Sequence, residues 1–326
     1  MQPKQSHRVV RLFLFLALNL VIAPNLFNAR GQLKFKKCDP DPLPLQLAGF
    51  DNQPQQIDSL CGNEGCFKSA ANNKQNEAKN NFCAPTANII PVTRETFKAL
   101  QDAVNNMSSI KPRVPPNSRA KLKNIKLPDG TRLGEGNVVS FVGYILSVTH
   151  SNVDKNKPLT AGNGESVQCN FLGCAYNDIH VELTGVQNDS TPCRTVTAEL
   201  IPHYRPAAWE NFDSPDYASF LSTHPVRLKG QLFFDGSHIA CLNGKPGVFT
   251  NNGQQQTDFA RIAVWEIHPV YSVEVCKKTA KADCLKNESQ WIPLSGLQSF
   301  LGLATVRPAP RCEQTTTTPK SLCKVP

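Results

Sequence analysis

Beyond its N-terminus the chain has no apolar run approaching eighteen residues, so no later segment qualifies as a membrane-spanning helix. It also lacks His-Glu-x-x-His, Gly-x-Ser-x-Gly and a glycine-rich loop ahead of Lys-Ser/Thr. Their absence removes the sequence signatures of zincin proteases, of the nucleophile elbow and of P-loop nucleotide binding. The two closest cysteine pairs, Cys61/Cys66 and Cys169/Cys174, have neither the redox Cys-x-x-Cys nor a zinc-knuckle spacing. No reaction centre is visible as a motif.

What is present begins with Lys4, Arg8 and Arg11 ahead of Leu12 to Ala23, an apolar stretch broken only by Asn19. Small and polar residues follow around Asn28 and Ala29. This is the order of a secretory signal, and it predicts export over residues 1–29, with a retained anchor as the other reading. Twelve cysteines fit an exported, oxidised chain stapled by disulfides, with a connectivity that sequence leaves open. Asn106, Asn188 and Asn287 each open a glycosylation triplet, which matters only in a host that uses it. The expected location is secreted or periplasmic.

Residues 30–110 form a cysteine-containing N-terminal segment. Its part up to Cys83 is rich in Asn, Gln, Lys and Pro and reads as irregular. Thr93 is an N-cap for a helix from Arg94 to about Asn106, because Phe97, Leu100, Val104 and Met107 recur at spacings of three and four. Residues 111–135 read as a basic linker with four prolines, and 277–326 as a cysteine-containing extension.

From Gly136 the period changes. Val138 to Thr149, Asp178 to Thr184, Thr195 to Ile201, Val226 to Phe234 and Ile262 to Cys276 predict five strands, with a short helix best placed over Asp216 to Ser222. Three strands, a helical connection and two strands predict a mainly β, OB-like five-stranded Greek-key barrel over 136–276, with an N-terminal helix and irregular disulfide-linked flanks. The rival is an immunoglobulin-like sandwich, which needs about seven strands. At Asn177 to Leu183, Ala198 to Pro202, His224 to His238 and Trp265 to Val270 the chain resembles exported bacterial proteins with an OB-like β-barrel. That group has no established function, so the resemblance implies a fold and transfers no catalytic roles.

Asp178, His180 and Glu182 share one strand face by the period of two, as do Glu266 and His268, while Asp235 and His238 follow the fourth strand. Imidazole nitrogen and carboxylate oxygen suit zinc or another divalent ion, and a bound ion could activate water for hydrolysis, a nuclease-like reaction among them. The competing reading is structural, with each histidine bonded to a carboxylate or a strand carbonyl. Arg194, His203, Arg205 and Trp209 are candidates for an anionic ligand, against ordinary solvated charge.

The formal charge of +9 falls to +6 once Lys4, Arg8 and Arg11 leave with the signal, and residues 136–276 carry 8 Lys/Arg against 13 Asp/Glu, a balance of −5. An acidic central domain is a poor phosphate groove, so sequence-specific nucleic-acid binding is not expected. The basic flanks suit a protein or an acidic envelope or extracellular polymer as partner. The sequence therefore predicts a disulfide-stabilised binding or structural protein without a cofactor, with a divalent-metal-dependent hydrolase as the alternative.

Overall fold

The structure, a computed structural model, describes residues 56–59, 61–65, 69–150, 177–203 and 205–308. The signal sequence, Cys66, the Cys169/Cys174 pair, Tyr204 and the tail after residue 308 lie outside them. In chain order, helix α1 (Ala70–Lys79) leads to strand β1 (Ile90–Val92) and helix α2 (Arg94–Asn105). A small hairpin, β2 (Ile125–Lys126) and β3 (Arg132–Leu133), precedes β4 (Val138–His150), β5 (Ile179–Thr184) and β6 (Thr195–Leu200). Helix α3 (Pro215–Leu221) then connects to β7 (Val226–Phe234). The hairpin β8 (Val248–Asn251) and β9 (Gln254–Thr257) follows, then β10 (Arg261–Cys276), α4 (Lys281–Lys286), β11 (Trp291–Pro293) and α5 (Leu297–Phe300).

All five long strands and α3 form where apolar and β-branched runs predict them, to within a residue or so at the ends. The architecture differs. The five-stranded OB barrel is corrected to a mixed α/β domain built on a seven-stranded sheet. β1 joins it parallel to β4, and β11 joins antiparallel to β10. Both additions come from stretches read as flanks. Each is only three residues long, too short to show an alternation in sequence. Within the sheet β4 pairs β5 and β5 pairs β6, both antiparallel, and β6 pairs β10 in parallel. β7 pairs antiparallel with both β10 and β4, so it has a neighbour on each side.

Alternation along these strands separates two faces. Val181, Val196, Ala198, Leu200, Leu228, Leu232, Trp265 and Ile267 lie in one apolar core, with Phe97, Leu100 and Val104 of α2 packed among them. The residues between them, including His180, Glu199, Gln231, Phe233, Glu266 and His268, point the other way. That second face meets α1 and the turn after it. The 111–135 linker also contributes to the core, because Leu122, Ile125, Leu127 and Leu133 of the small hairpin region are buried there.

Helix α2 has its cap where expected. Thr93 Oγ1 accepts from Thr96 N at 3.4 Å and Thr96 Oγ1 accepts from Thr93 N at 3.1 Å, a reciprocal capping box. The β8–β9 hairpin was not expected, although Asn252-Gly253 at its tip is its sequence signal. Both residues have positive φ (50° and 77°), as a type I′ turn requires. Cys193–Cys241 and Cys276–Cys284 are disulfides, and Cys61 and Cys83 are also bonded. Closing a sequence separation of 48 between Cys193 and Cys241 is worth about 4 kcal/mol by loop-closure entropy.

One close approach shapes β10. A Cβ at Gly230 would collide with the Pro269 carbonyl oxygen and with Ile267 Cγ2, so only glycine lets β7 lie against the segment that carries His268.

Candidate metal centre

Register decides which polar side chains meet. His180 on β5 is directly opposite Glu199 on β6, a cross-strand pair. On the other side of β6, Ala198 aligns with Ile267 and Thr197 with Glu266, which places His268 of β10 beside the same Glu199. Glu199 therefore has a histidine on each flank. Its Oε1 lies 3.3 Å from His180 Nε2, and its Oε2 lies 2.7 Å from His268 Nε2. Asp178 shares the β5 face with His180, and Glu266 shares the β10 face with His268.

Among the described residues two groups of three result, each with ligand atoms close enough together to hold one ion: Asp178, His180 and Glu199, and Glu199, Glu266 and His268. They overlap at Glu199. The inner group is closed, with Glu266 0% and His268 1% exposed, whereas the His180 side chain is 24% exposed. The expectation of a chain without a cofactor is corrected by these two groups, whose donor chemistry and spacing suit a divalent ion. They arise from cross-strand register, which a reading of single strands does not contain.

The polarity of His268 is set by a main-chain contact. Its Nδ1 lies 2.9 Å from the Lys79 carbonyl, which can only accept, so Nδ1 carries the proton. Its Nε2 lies 2.7 Å from Glu199 Oε2. A histidine that donates one nitrogen to a carbonyl while offering the other is also the usual orientation of a metal-bound imidazole. Glu266 Oε1 pairs with Arg261, and its Oε2 makes no hydrogen bond.

Electrostatics set the charge states. Burial opposes the charge on Glu199, but Lys79, His180 and His268 outweigh it and hold the carboxyl well below its ordinary range. Glu266 is pushed up to about 8 by burial and by the neighbouring Glu199 charge. Lys79, although buried, is held well above the ordinary lysine range by Glu199 and Asp235. Its Nζ stands 3.6 Å from Glu199 Oε2 and 3.4 Å from Asp235 Oδ2, and it also lies over the Phe233 ring.

The remaining metal candidates are engaged nearby. Glu182 Oε1 accepts from the Thr197 hydroxyl at 3.0 Å. His238 bonds Asp258 at 2.8 Å and lies 3.8 Å from Asp235, whose other partners include Lys79, Gln75 and the Ser237 N–H. The anion candidates make contacts of their own. Arg205 is buried, donates to both Glu210 oxygens, and also to the Asn177 and Leu200 carbonyls. Arg194 is exposed and bonds Asp189, His203 bonds Asp58, and Trp209 is buried in the core.

Sequence reasoning missed Glu199, Lys79 and Arg261. Glu199 had a signal, since it alternates with Thr197 on the polar face of a predicted strand, but its partners lie on two other strands. Lys79 had none.

No protein-family model matches the chain, and no curated protein or solved structure matches it either.

Proposed function

We propose that this is an exported, disulfide-stabilised protein that binds a divalent metal at Glu199 and performs metal-dependent hydrolysis there. The observation that carries the reading is the Glu199 carboxylate, which presents one oxygen to each of two histidines in a largely buried setting. Asp178, His180 and Glu199 would hold the ion, because the His180 side chain is partly exposed, although its Nε2 is itself buried, whereas Glu266 and His268 are closed off entirely. Three protein ligands leave a position for water, as catalytic zinc sites do. An ion there would act as a Lewis acid and lower the pKa of its bound water. The chain's own part is to orient the ligands. β5 and β6 fix His180 against Glu199, and the Lys79 charge keeps Glu199 ionised. Disulfides within the folded domain support an oxidising compartment.

The test is elemental analysis of protein dialysed against zinc and then against metal-free buffer, beside Glu199→Gln. The expected result is near-stoichiometric zinc in the wild type, lost in the variant, with hydrolysis of carboxylic or phosphate ester substrates lost along with it. A wild-type chain without zinc, or a Glu199→Gln chain that keeps it, overturns the reading.

A further inference from the structure

Carboxylates outnumber fixed cations around Glu199. Lys79 feels Glu199, Asp235, Glu266 and Asp178, and Arg261 feels Glu266, Asp235, Glu182 and Glu199, so five acids share two permanent positive charges. The two cations are unevenly placed. Arg261 pairs with Glu266 Oε1, and Lys79 stands against Glu199 Oε2, the oxygen that faces His268. Both therefore lie on the inner side. The outer oxygen, Glu199 Oε1, faces His180.

Lys79 does not reach this position by chance of a long side chain. It ends helix α1, which docks on the polar face of the sheet through directed hydrogen bonds. Gln75 Nε2 donates to Asp235 Oδ1 at 3.0 Å and to Ser237 Oγ at 2.7 Å, and Gln75 Oε1 accepts from Gly236 N at 2.9 Å. Gln231 Nε2 donates to the Ala78 carbonyl at 2.7 Å. The Lys79 carbonyl itself fixes His268. The same residue thus orients the inner histidine with its main chain and supplies a cation with its side chain.

We propose that Lys79 is a built-in cation that takes the place of a second metal ion, so that the chain binds a single divalent ion on the Asp178/His180 side of Glu199. The inference rests on the metal reading above and assigns the inner group of Glu199, Glu266 and His268 to the ammonium. An ammonium 3.6 Å from Glu199 Oε2 balances the charge of that oxygen and repels a divalent ion from the same position. Removing the charge while keeping the bulk opens the inner position. Lys79→Met leaves Glu199, Glu266 and His268, whose ligand atoms lie within 4.8 Å of one another, without their cation.

The experiment is zinc stoichiometry, by elemental analysis after gel filtration, of wild type, Lys79→Met and Glu199→Gln. One zinc in the wild type, two in Lys79→Met and none in Glu199→Gln is the expected set. One zinc in both wild type and Lys79→Met, or two in the wild type, overturns the role of Lys79 and leaves the metal reading standing. No zinc in either overturns both. Should Lys79→Met fail to fold, Lys79→Gln takes its place in the same zinc measurement: two zinc ions support the role of Lys79, and one overturns it.

Discussion

Helices α1 and α2 both lie against the central sheet, yet they are held by opposite means. α2 turns Phe97, Leu100 and Val104 into the apolar core and leaves Lys98, Asp102 and Asn105 outside, so burial of hydrocarbon is its main hold, beside one directed bond in which Gln101 Oε1 accepts from Val264 N at 2.9 Å. α1 has no large apolar side chain. Its buried residues are Gln75, Asn76 and Lys79, and every one of them is buried for a partner: Asp235 and Ser237, Asn63, or the Glu199/Asp235 pair. A helix of the first kind can dock on any complementary apolar surface. One of the second kind docks in a single place, because each buried donor or acceptor left unmade costs free energy.

The largest effect that tests this contrast is expected in α2. Leu100→Ala should cost about 2–5 kcal/mol through lost burial and the cavity left behind, measured by urea unfolding. A loss within the range of surface substitutions would contradict the packing described. In α1, Gln75→Ala removes partners from Asp235, Ser237 and Gly236 N together, and about 1–3 kcal/mol should be lost. If that variant matches wild type in the same unfolding measurement, the polar docking of α1 contributes nothing.

Acid should separate the two helices. Burial disfavours the Asp235 charge, but the Lys79 charge overrides it and holds this carboxyl below its ordinary range. A depressed folded-state pKa means that the contribution is complete above the unfolded value, about 3.9, and is lost as pH falls through the folded one. Hydrogen exchange across pH 5 to 2.5 should therefore show α1 amides opening at a higher pH than those of α2. Asp235→Asn should remove the difference in pH dependence, and simultaneous opening of both helices in the wild type would refute it. The smallest effect belongs to the outer face of α2. Lys98→Ala breaks only an exposed i,i+4 pair with Asp102 at 2.6 Å, and about 0.3–0.5 kcal/mol is expected in urea unfolding.

The same contrast explains what was legible in the sequence. α2, its Thr93 cap and the five long strands could be read because apolar residues recur at 3.6 or 2, and periodicity is a property of one segment. α1 carries no such period, and its residues read as an irregular polar stretch. The candidate metal ligands divide in the same way. Asp178/His180 and Glu266/His268 are two apart on single strands and could be chosen from sequence. Glu199, which joins them, is adjacent to both only through the pairing of β6 with β5 and with β10. The OB barrel was inferred from strand order, which contains the five long strands but neither of the short strands that complete the sheet from the flanks.

The missing side chain at Gly230 is as much a part of the centre as any ligand. His268 is held where it is by a neighbouring strand that comes close only because one of its residues has no side chain. A descendant of this chain could inherit every acid and histidine of the centre and still lose the centre, through a methyl group on a residue that touches none of them.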